Sequence, residues 1–424
     1  MPDALKRPHV VIIGGGFGGI SAAQGLKRAP VSVTLIDRTN HFTFQPLLYQ
    51  VATAALSPSD ITAPIRWILR HHRNAKVMMA EVREIDPDRQ VVRLDADEKE
   101  ISYDYLIVAT GSRHAYFSHN EWEPYAPGLK AIEDASEIRR RFLLAFEHAE
   151  LTDDDKEREE LLTFAIVGGG PTGVELAGAM PYIARKALAP DFRRTDTRKT
   201  RVILIEAGPR ILPSFPEDLA ARAAKDLQDL GVEVRVGAMV TGVDAEGVSI
   251  GGEKIRARTA FWAAGNLASP LGKFLDVPLD RAGRIHVSPD LSVPGHPRIF
   301  IVGDLASLTQ DGRLIPGVGP AAIQEGKAAA KNIVRDLRRQ PRKPFNYWNK
   351  GDLAVIGRSR AIADLGWIKF SGWFAWVFWL LVHIMYLVGF RNRLVVLFEW
   401  GYAYFTSQAG VRLITDVERY KPPT

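Results

Sequence analysis

Gly14, Gly16 and Gly19 stand in the G-x-G-x-x-G spacing within HVVIIGGGFGGISAAQGL, and the strand-like run VSVTLID that follows closes on Asp37. Residues of these types at this spacing can hold a diphosphate. The first glycine permits a tight turn, the second lets the backbone approach a pyrophosphate, and the third lets a helix pack closely on its strand. The N–H groups and positive dipole end of that helix then face the phosphates, and the acid accepts hydrogen bonds from an adenosine ribose. The pattern recurs. LLTFAIVGGGPTGVELAGAM places Gly168, Gly170 and Gly173 in the same spacing, and TRVILIEAG closes a later strand on Glu206. The stretch PYIARKALAPDFRRTDTRK lengthens the helix and loop between them. Two fingerprints imply two dinucleotides. Glu206 would repel a 2′-phosphate, which favours NADH over NADPH, with Arg210 four residues on as the feature pulling the other way.

The elements that must position these loops are alternating strands and helices. Phe17 and Gly18 fill the first loop, and Pro171 and Thr172 the second. Three further strands end in small-residue turns: YDYLIVATGS with Thr110 and Gly111, TAFWAAGN with Ala264 and Gly265, and PRIFIVGDLAS with Gly303 and Asp304. The expected fold class is α/β, with two Rossmann-like dinucleotide-binding domains. At 424 residues the chain has room for two or three domains, and 46% hydrophobic with 25% charged residues is ordinary for a globular protein. The opening MPDALKRPHVVIIGGG reads as a first strand, not a signal peptide.

The chain contains no cysteine. Disulfides, thiolate metal sites, iron–sulfur clusters and redox-active dithiols are thereby excluded. His, Asp and Glu show no convincing metal spacing, so no metal is expected, and His71–His72 reads as loop. The net charge of +6 suits phosphate-bearing ligands or an acidic membrane surface. Nucleic acid is not expected: no binding motif is present, and RDLRRQPR, residues 335 to 342, reads as a solvated helix end.

Residues 370 to 390, FSGWFAWVFWLLVHIMYLVGF, would form a helix about 31 Å long, enough to cross a bilayer core. Three features favour a surface position instead. Trp373, Trp376 and Trp379 recur every third residue; Lys369 lies on one side with Arg391 and Arg393 on the other; and the next segment carries Glu399, Ser407 and Gln408, a poor return span. Six of the nine tryptophans fall after residue 345, which suits an interface with one edge apolar and the other wet. Helices lying in the membrane surface are therefore favoured over a span, with an apolar dimer interface as the alternative. His383 reads as a hydrogen-bonded interface histidine and not a proton relay.

The order of these signals over residues 8 to 335 resembles the pyridine nucleotide-disulfide oxidoreductase family. GGGPTGVELAG, PLLYQVAT, AAIQEG, YWNKG and WLLVHIMYLVGFRNR are similar to type II NADH dehydrogenases, single-subunit NADH:quinone oxidoreductases. The resemblance implies non-covalent FAD at the first fingerprint, NADH at the second, and an NADH domain inserted in the FAD domain. Residues 1–125 and 266–340 would bind FAD, 126–265 NADH, and 341–424 would anchor to the membrane or dimerise. By the same likeness Asp37 and Arg38 meet the FAD ribose, Asp304 the ribityl chain or pyrophosphate, and Pro46 and Leu47 the flavin ring. Val82, Thr110, Gly111 and Gly303 complete that site. Glu175 would orient NADH, Gln324 would contact quinone, and Lys350 would stabilise reduced flavin or a quinol anion. Gln324 matches the second glutamine of the family's A-Q-x-A-x-Q stretch and Pro320 stands at the first, which puts two-glutamine gating of the quinone in doubt. Without cysteines the remaining acceptors are a quinone, a small redox protein or dioxygen. The expectation is a non-pumping NADH:quinone oxidoreductase, peripheral on the cytoplasmic face of the cell membrane and homodimeric. The rivals are a ferredoxin- or rubredoxin-type reductase, an NADH oxidase, and a signalling flavoprotein similar to apoptosis-inducing factor.

Overall fold

The computed structural model describes residues 7–95, 99–406 and 411–415. Ser407, Gln408 and the end of the tail beyond 415 lie outside the described residues. The chain divides into two compact units. One comprises Met1–Thr43, Ala63–Arg113 and Asn266–Lys350; the other comprises Phe44–Thr62, His114–Gly265 and Gly351–Thr424. Compactness thus sets a boundary at Arg113, where the sequence reading placed it after 125. It also groups residues 44–62 and the tail with the second fingerprint.

In the first unit, β-branched and leucine-rich runs form a six-stranded sheet in the order Ser292–Val293, His296–Ile301, Tyr105–Val108, His9–Ile13, Ser32–Asp37, Ala75–Met79. All pairings are parallel except that of Ser292–Val293 with its neighbour. Near-continuous apolar strands are what a sheet covered on both faces requires, and Val10, Val11 and Ile12 are fully buried. His9–Ile13 lies between Ser32–Asp37, which follows it, and the later strand Tyr105–Val108, so the strand order reverses there and leaves a crevice at the carboxyl ends. Val82 opens the strand Val82–Asp86 and is buried in the core beneath this sheet with Ile13 and Ile36.

The expectation of a solvated helix end at 335–342 is corrected at Arg342. Its guanidinium donates to Asp336 and, at 3.0 Å, to Asp290, and lies over the Phe300 ring. Both acids hold it well above the usual arginine range. It clamps the chain after helix Gly319–Leu337.

The second unit repeats the plan with four parallel strands in the order Val232–Arg235, Arg201–Ile205, Thr163–Val167, Thr259–Trp262, again with the strand order reversing at the fingerprint strand. A three-stranded antiparallel sheet, Asp352–Gly357, Arg360–Asp364 and Lys369–Ser371, packs against helix Pro171–Tyr182. A Cβ at Gly178 would lie 1.5 Å from the Ile356 carbonyl oxygen, so only glycine permits this approach.

The expected single helix over 370–390 is also corrected. Its first residues belong to the strand Lys369–Ser371, and helices run over Trp373–Tyr386 and Phe390–Thr406. Gly372 at φ 80° and Gly389 at φ 91° adopt a left-handed conformation that an α-helix cannot continue through. The first helix is therefore about 21 Å long. No helix among the described residues is long and apolar enough to cross a membrane.

Candidate functional site

The two glycine loops are built alike, and the space around each glycine separates their tasks. A Cβ at Gly14, φ 101°, would lie 2.3 Å from the Ala109 carbonyl oxygen, and one at Gly19 would lie 1.8 Å from that of Gly14. In the second loop a Cβ at Gly168, φ 114°, would lie 2.6 Å from the Ala263 carbonyl carbon, and one at Gly173 would lie 1.8 Å from the Gly168 oxygen. The protein itself therefore demands glycine at these four positions. Around Gly16 and Gly170 there is nothing within 4 Å of a Cβ. The middle glycine of each loop keeps open a space that the fold does not use, which is what a pyrophosphate lying against the backbone needs.

Each terminal acid braces its own loop. Asp37 accepts from Gly15 N–H at 2.6 Å and from both the N–H and hydroxyl of Thr39. Glu206 accepts from Gly169 N–H and Gly208 N–H, each at 2.6 Å. Carboxylate oxygens have further lone pairs, so ribose hydroxyls can add to these bonds. Arg210 turns away. Its guanidinium donates to the carbonyls of Phe215 at 2.8 Å and Pro213 at 3.0 Å, tying up its own loop and not projecting a cation toward a 2′-phosphate.

Elsewhere in the first unit, Thr110 Oγ1 is buried without a partner among the described residues, and Gly111 beside it is left-handed with open space where a side chain would be. Asp304 accepts from Ser112 Oγ at 2.6 Å. Phe17 packs edge-on against Phe42, Gly18 is buried, and Arg38 is exposed beside Asp37. These residues fit the phosphate and sugar groups of a dinucleotide.

Gln324 is placed differently from a free quinone contact. Its amide donates to the Trp348 carbonyl and accepts from the Trp348 N–H, both at 3.0 Å, which pins the strap leading to Lys350 onto helix Gly319–Leu337. Lys350 Nζ lies 5.2 Å from the centre of the Trp348 ring.

Sequence reasoning passed over Glu325, the next residue. It is 3% exposed and accepts from Gly303 N–H at 2.5 Å. Burial, with the charge of Asp304, pushes its carboxyl up to about 7. Below pH 4.5 the group is protonated in the folded and unfolded chain alike; between there and about 7 only the unfolded chain gives up its proton, so stability falls as pH rises. The total loss is about 3 kcal/mol. Glu325→Gln keeps an acceptor for Gly303 and should remove this slope: thermal unfolding should match the parent near pH 4.5 and exceed it above pH 7.

In the second unit Pro46 and Leu47 lie in the short turn Gln45–Leu47, with Leu47 fully buried. Pro171 and Thr172 open the helix Pro171–Tyr182. Gly265 is left-handed, and a Cβ there would lie 2.6 Å from the Phe117 ring, while Ala264 packs on the core of the sheet.

Glu175, one turn into that helix, faces a cavity holding about 840 Å3 of empty space, open mouth included. Three distant stretches line it: Tyr49 to Ala55, Glu175 to Ile183, and Val355 onward through Trp376, Trp379, Trp400 and Tyr404. Glu175 is half-buried, and desolvation raises its carboxyl well above the usual carboxylate range, against the pull of a hydrogen bond from the Val355 backbone. Tyr49 is likewise held far above an ordinary phenol, first by burial and then by Glu175. Trp379 stacks on His383 at 3.9 Å, and its indole N–H is buried with no acceptor among the described residues. His383 Nδ1 donates to the Trp379 carbonyl at 2.7 Å, and burial pushes the ring down to about 4, which makes it a neutral packing histidine. No group of three metal-ligating side chains occurs among the described residues.

Residues 8–326 match the pyridine nucleotide-disulphide oxidoreductase family and residues 349–408 the NDH2 C-terminal domain. Two relatives from Mycobacterium tuberculosis, the type II NADH:quinone oxidoreductases NdhA and Ndh, are 46% and 44% identical, covering 98% of this chain and 91% and 92% of theirs. NDH2 of Plasmodium falciparum, solved in complex with NADH, has the same fold at TM-score 0.87 and 22% identity, over 95% of this chain and 99% of that one. The sulfide:quinone oxidoreductase of Aquifex aeolicus follows at TM-score 0.73 and 20% identity, over 94% and 95%. With a dinucleotide cradle in each unit and an NDH2-type tail, the chain belongs to the type II NADH:quinone oxidoreductases of the pyridine nucleotide-disulphide oxidoreductase family.

Proposed function

We propose that this protein takes a hydride from NADH onto bound FAD and delivers the electron pair to a quinone, without pumping ions. The observation that carries the reading is the aromatic cavity of the second unit, an apolar chamber with one acid in its wall, in a chain that has no cysteine pair to receive electrons. Bound FAD supplies the exchange between a hydride donor and an acceptor that takes electrons and protons separately. Gly14, Gly16, Gly19, Asp37, Thr110 and Asp304 would hold it, and Gly168, Gly170, Gly173 and Glu206 would hold NADH. The acid at Glu206 and the inward turn of Arg210 both favour NADH. Hydride transfer needs geometry and excluded water, not a general acid. Quinone reduction consumes two protons, and burial favours the protonated form of the Glu175 carboxyl at the cavity wall. Gln324 acts through the strap it pins, keeping Lys350 in place.

The tail points to a peripheral position on the membrane, on the cytoplasmic face where NADH is available. Phe374, Phe398 and Phe405 are 74%, 72% and 86% exposed, a surface that suits lipid or a second copy of the chain. Anaerobic mixing of the purified flavoprotein with NADH should bleach the flavin within the dead time of ordinary mixing, and a short-chain quinone should restore its colour. A reduced flavin that ignores quinone, or equal turnover with NADPH, contradicts the acceptor or the donor assignment respectively.

A further inference from the structure

The hydrogen bonds at one wall of the cavity have a fixed direction. Trp400 Nε1 lies 2.7 Å from Gln50 Oε1, and an indole nitrogen can only donate. Gln50 must therefore present its oxygen to Trp400 and its NH2 to Tyr49, whose hydroxyl oxygen accepts at 2.8 Å. With its oxygen engaged as an acceptor from Gln50, the phenol is left with a proton to give. Tyr49 is 7% exposed, lines the cavity, and its O–H has no acceptor among the described residues. A buried donor in the wall of an apolar cavity is matched by a ligand that offers acceptor oxygens.

We propose that Tyr49 donates a hydrogen bond to a carbonyl oxygen of the quinone in this cavity, with Gln50 and Trp400 as the residues that position its proton. The inference rests on the quinone reading above and adds to it the contact that polarises the acceptor. Both carbonyl oxygens of a quinone accept and neither donates, so it complements the phenol. As the electron pair arrives, negative charge grows on the bound oxygen and the bond strengthens, which accelerates the step. The two protons that complete the quinol come from solvent or Glu175, so Tyr49 keeps its own. The quinol oxygens, once protonated, are weaker acceptors than the developing anion, so the bond from Tyr49 weakens again and product can leave. Trp400 lies on the tail helix Phe390–Thr406, so the membrane-facing element also sets the direction of the Tyr49 proton.

The test uses the full-length flavoprotein and its variants Tyr49→Phe, Trp400→Phe and the double variant, with the two half-reactions followed separately and ferricyanide as an acceptor that needs no carbonyl contact. Tyr49→Phe should slow reoxidation by a short-chain quinone about 100-fold, the scale of one lost oxyanion donor, with the NADH half-reaction and ferricyanide turnover at parental rates. Trp400→Phe keeps a ring but frees the Gln50 amide, and should slow the quinone step about 5-fold, as for one lost hydrogen bond. The double variant should be no slower than Tyr49→Phe, because both act through one proton; a structural role would multiply the two losses. Parental quinone rates in Tyr49→Phe, equal losses with ferricyanide, or multiplied losses in the double variant overturn the proposal. A parent that quinone fails to reoxidise instead removes the underlying function.

Discussion

Gly170→Val is expected to give a folded, flavin-loaded protein that no longer oxidises NADH. A side chain at Gly170 meets nothing within 4 Å, and its φ of −72° is one that any L-residue adopts, so the substitution leaves the packing alone. It fills the space a pyrophosphate would occupy. Losing two hydrogen bonds to charged phosphate costs about 3–6 kcal/mol, and at about 1.4 kcal/mol per decade this is a 10²- to 10⁴-fold loss of NADH affinity. Titration of flavin bleaching against NADH concentration checks it. Gly173→Ala makes the contrast: its Cβ would fall 1.8 Å from the Gly168 oxygen, so the smaller substitution should yield misfolded or insoluble protein. If Gly170→Val instead binds NADH normally, the second loop is not a dinucleotide cradle.

The second large effect is expected at the tail. Phe374, Phe398 and Phe405 are mostly exposed, on two helices that are otherwise anchored inward through Trp379 and Trp400. Burying one such ring in lipid contributes about 1.5–3 kcal/mol, so the three together approach 5–9 kcal/mol, a partition of roughly 10³- to 10⁶-fold. The triple variant Phe374→Glu, Phe398→Glu, Phe405→Glu should leave sedimented vesicles of mixed anionic lipid for the supernatant, while the parent pellets with them. Turnover with ferricyanide should persist in the variant. A variant that still pellets, or a parent that never does, would count against lipid contact and for an apolar interface between copies of the chain. Sedimentation velocity of both proteins in detergent separates those two outcomes.

Both fingerprint loops were legible because their physics is local: three glycines, a strand, a helix start and an acid all fall within a short stretch. Even so, spacing alone did not reveal that the fold itself demands glycine at Gly14 and Gly19 but leaves open space at Gly16; that distinction lies in the neighbours of an absent Cβ. The cavity was not legible at all. Tyr49, Glu175, Arg358 and Trp400 come from segments more than a hundred residues apart, except for the last pair, and no periodicity connects them. Tyr49 stood in a quoted motif, but nothing in PLLYQVAT told its hydroxyl from a packing ring. Gln324 was legible as special and not as a backbone clamp, since its partners lie at Trp348 in an irregular stretch. The tail was read as one helix because hydropathy averages over Gly372 and Gly389, whose backbone angles divide it.

That division bears on where such an enzyme can be put to work. A protein that crosses a bilayer must match its apolar length to the hydrocarbon thickness, and mismatch sorts it among membranes. Helix Trp373–Tyr386, at about 21 Å and bounded by two left-handed glycines, has no such length to match. If these helices rest on one leaflet, as proposed, the anchor is indifferent to how thick the other is. Transplanted between thin and thick membranes, it would need only the same surface and the same dissolved acceptor.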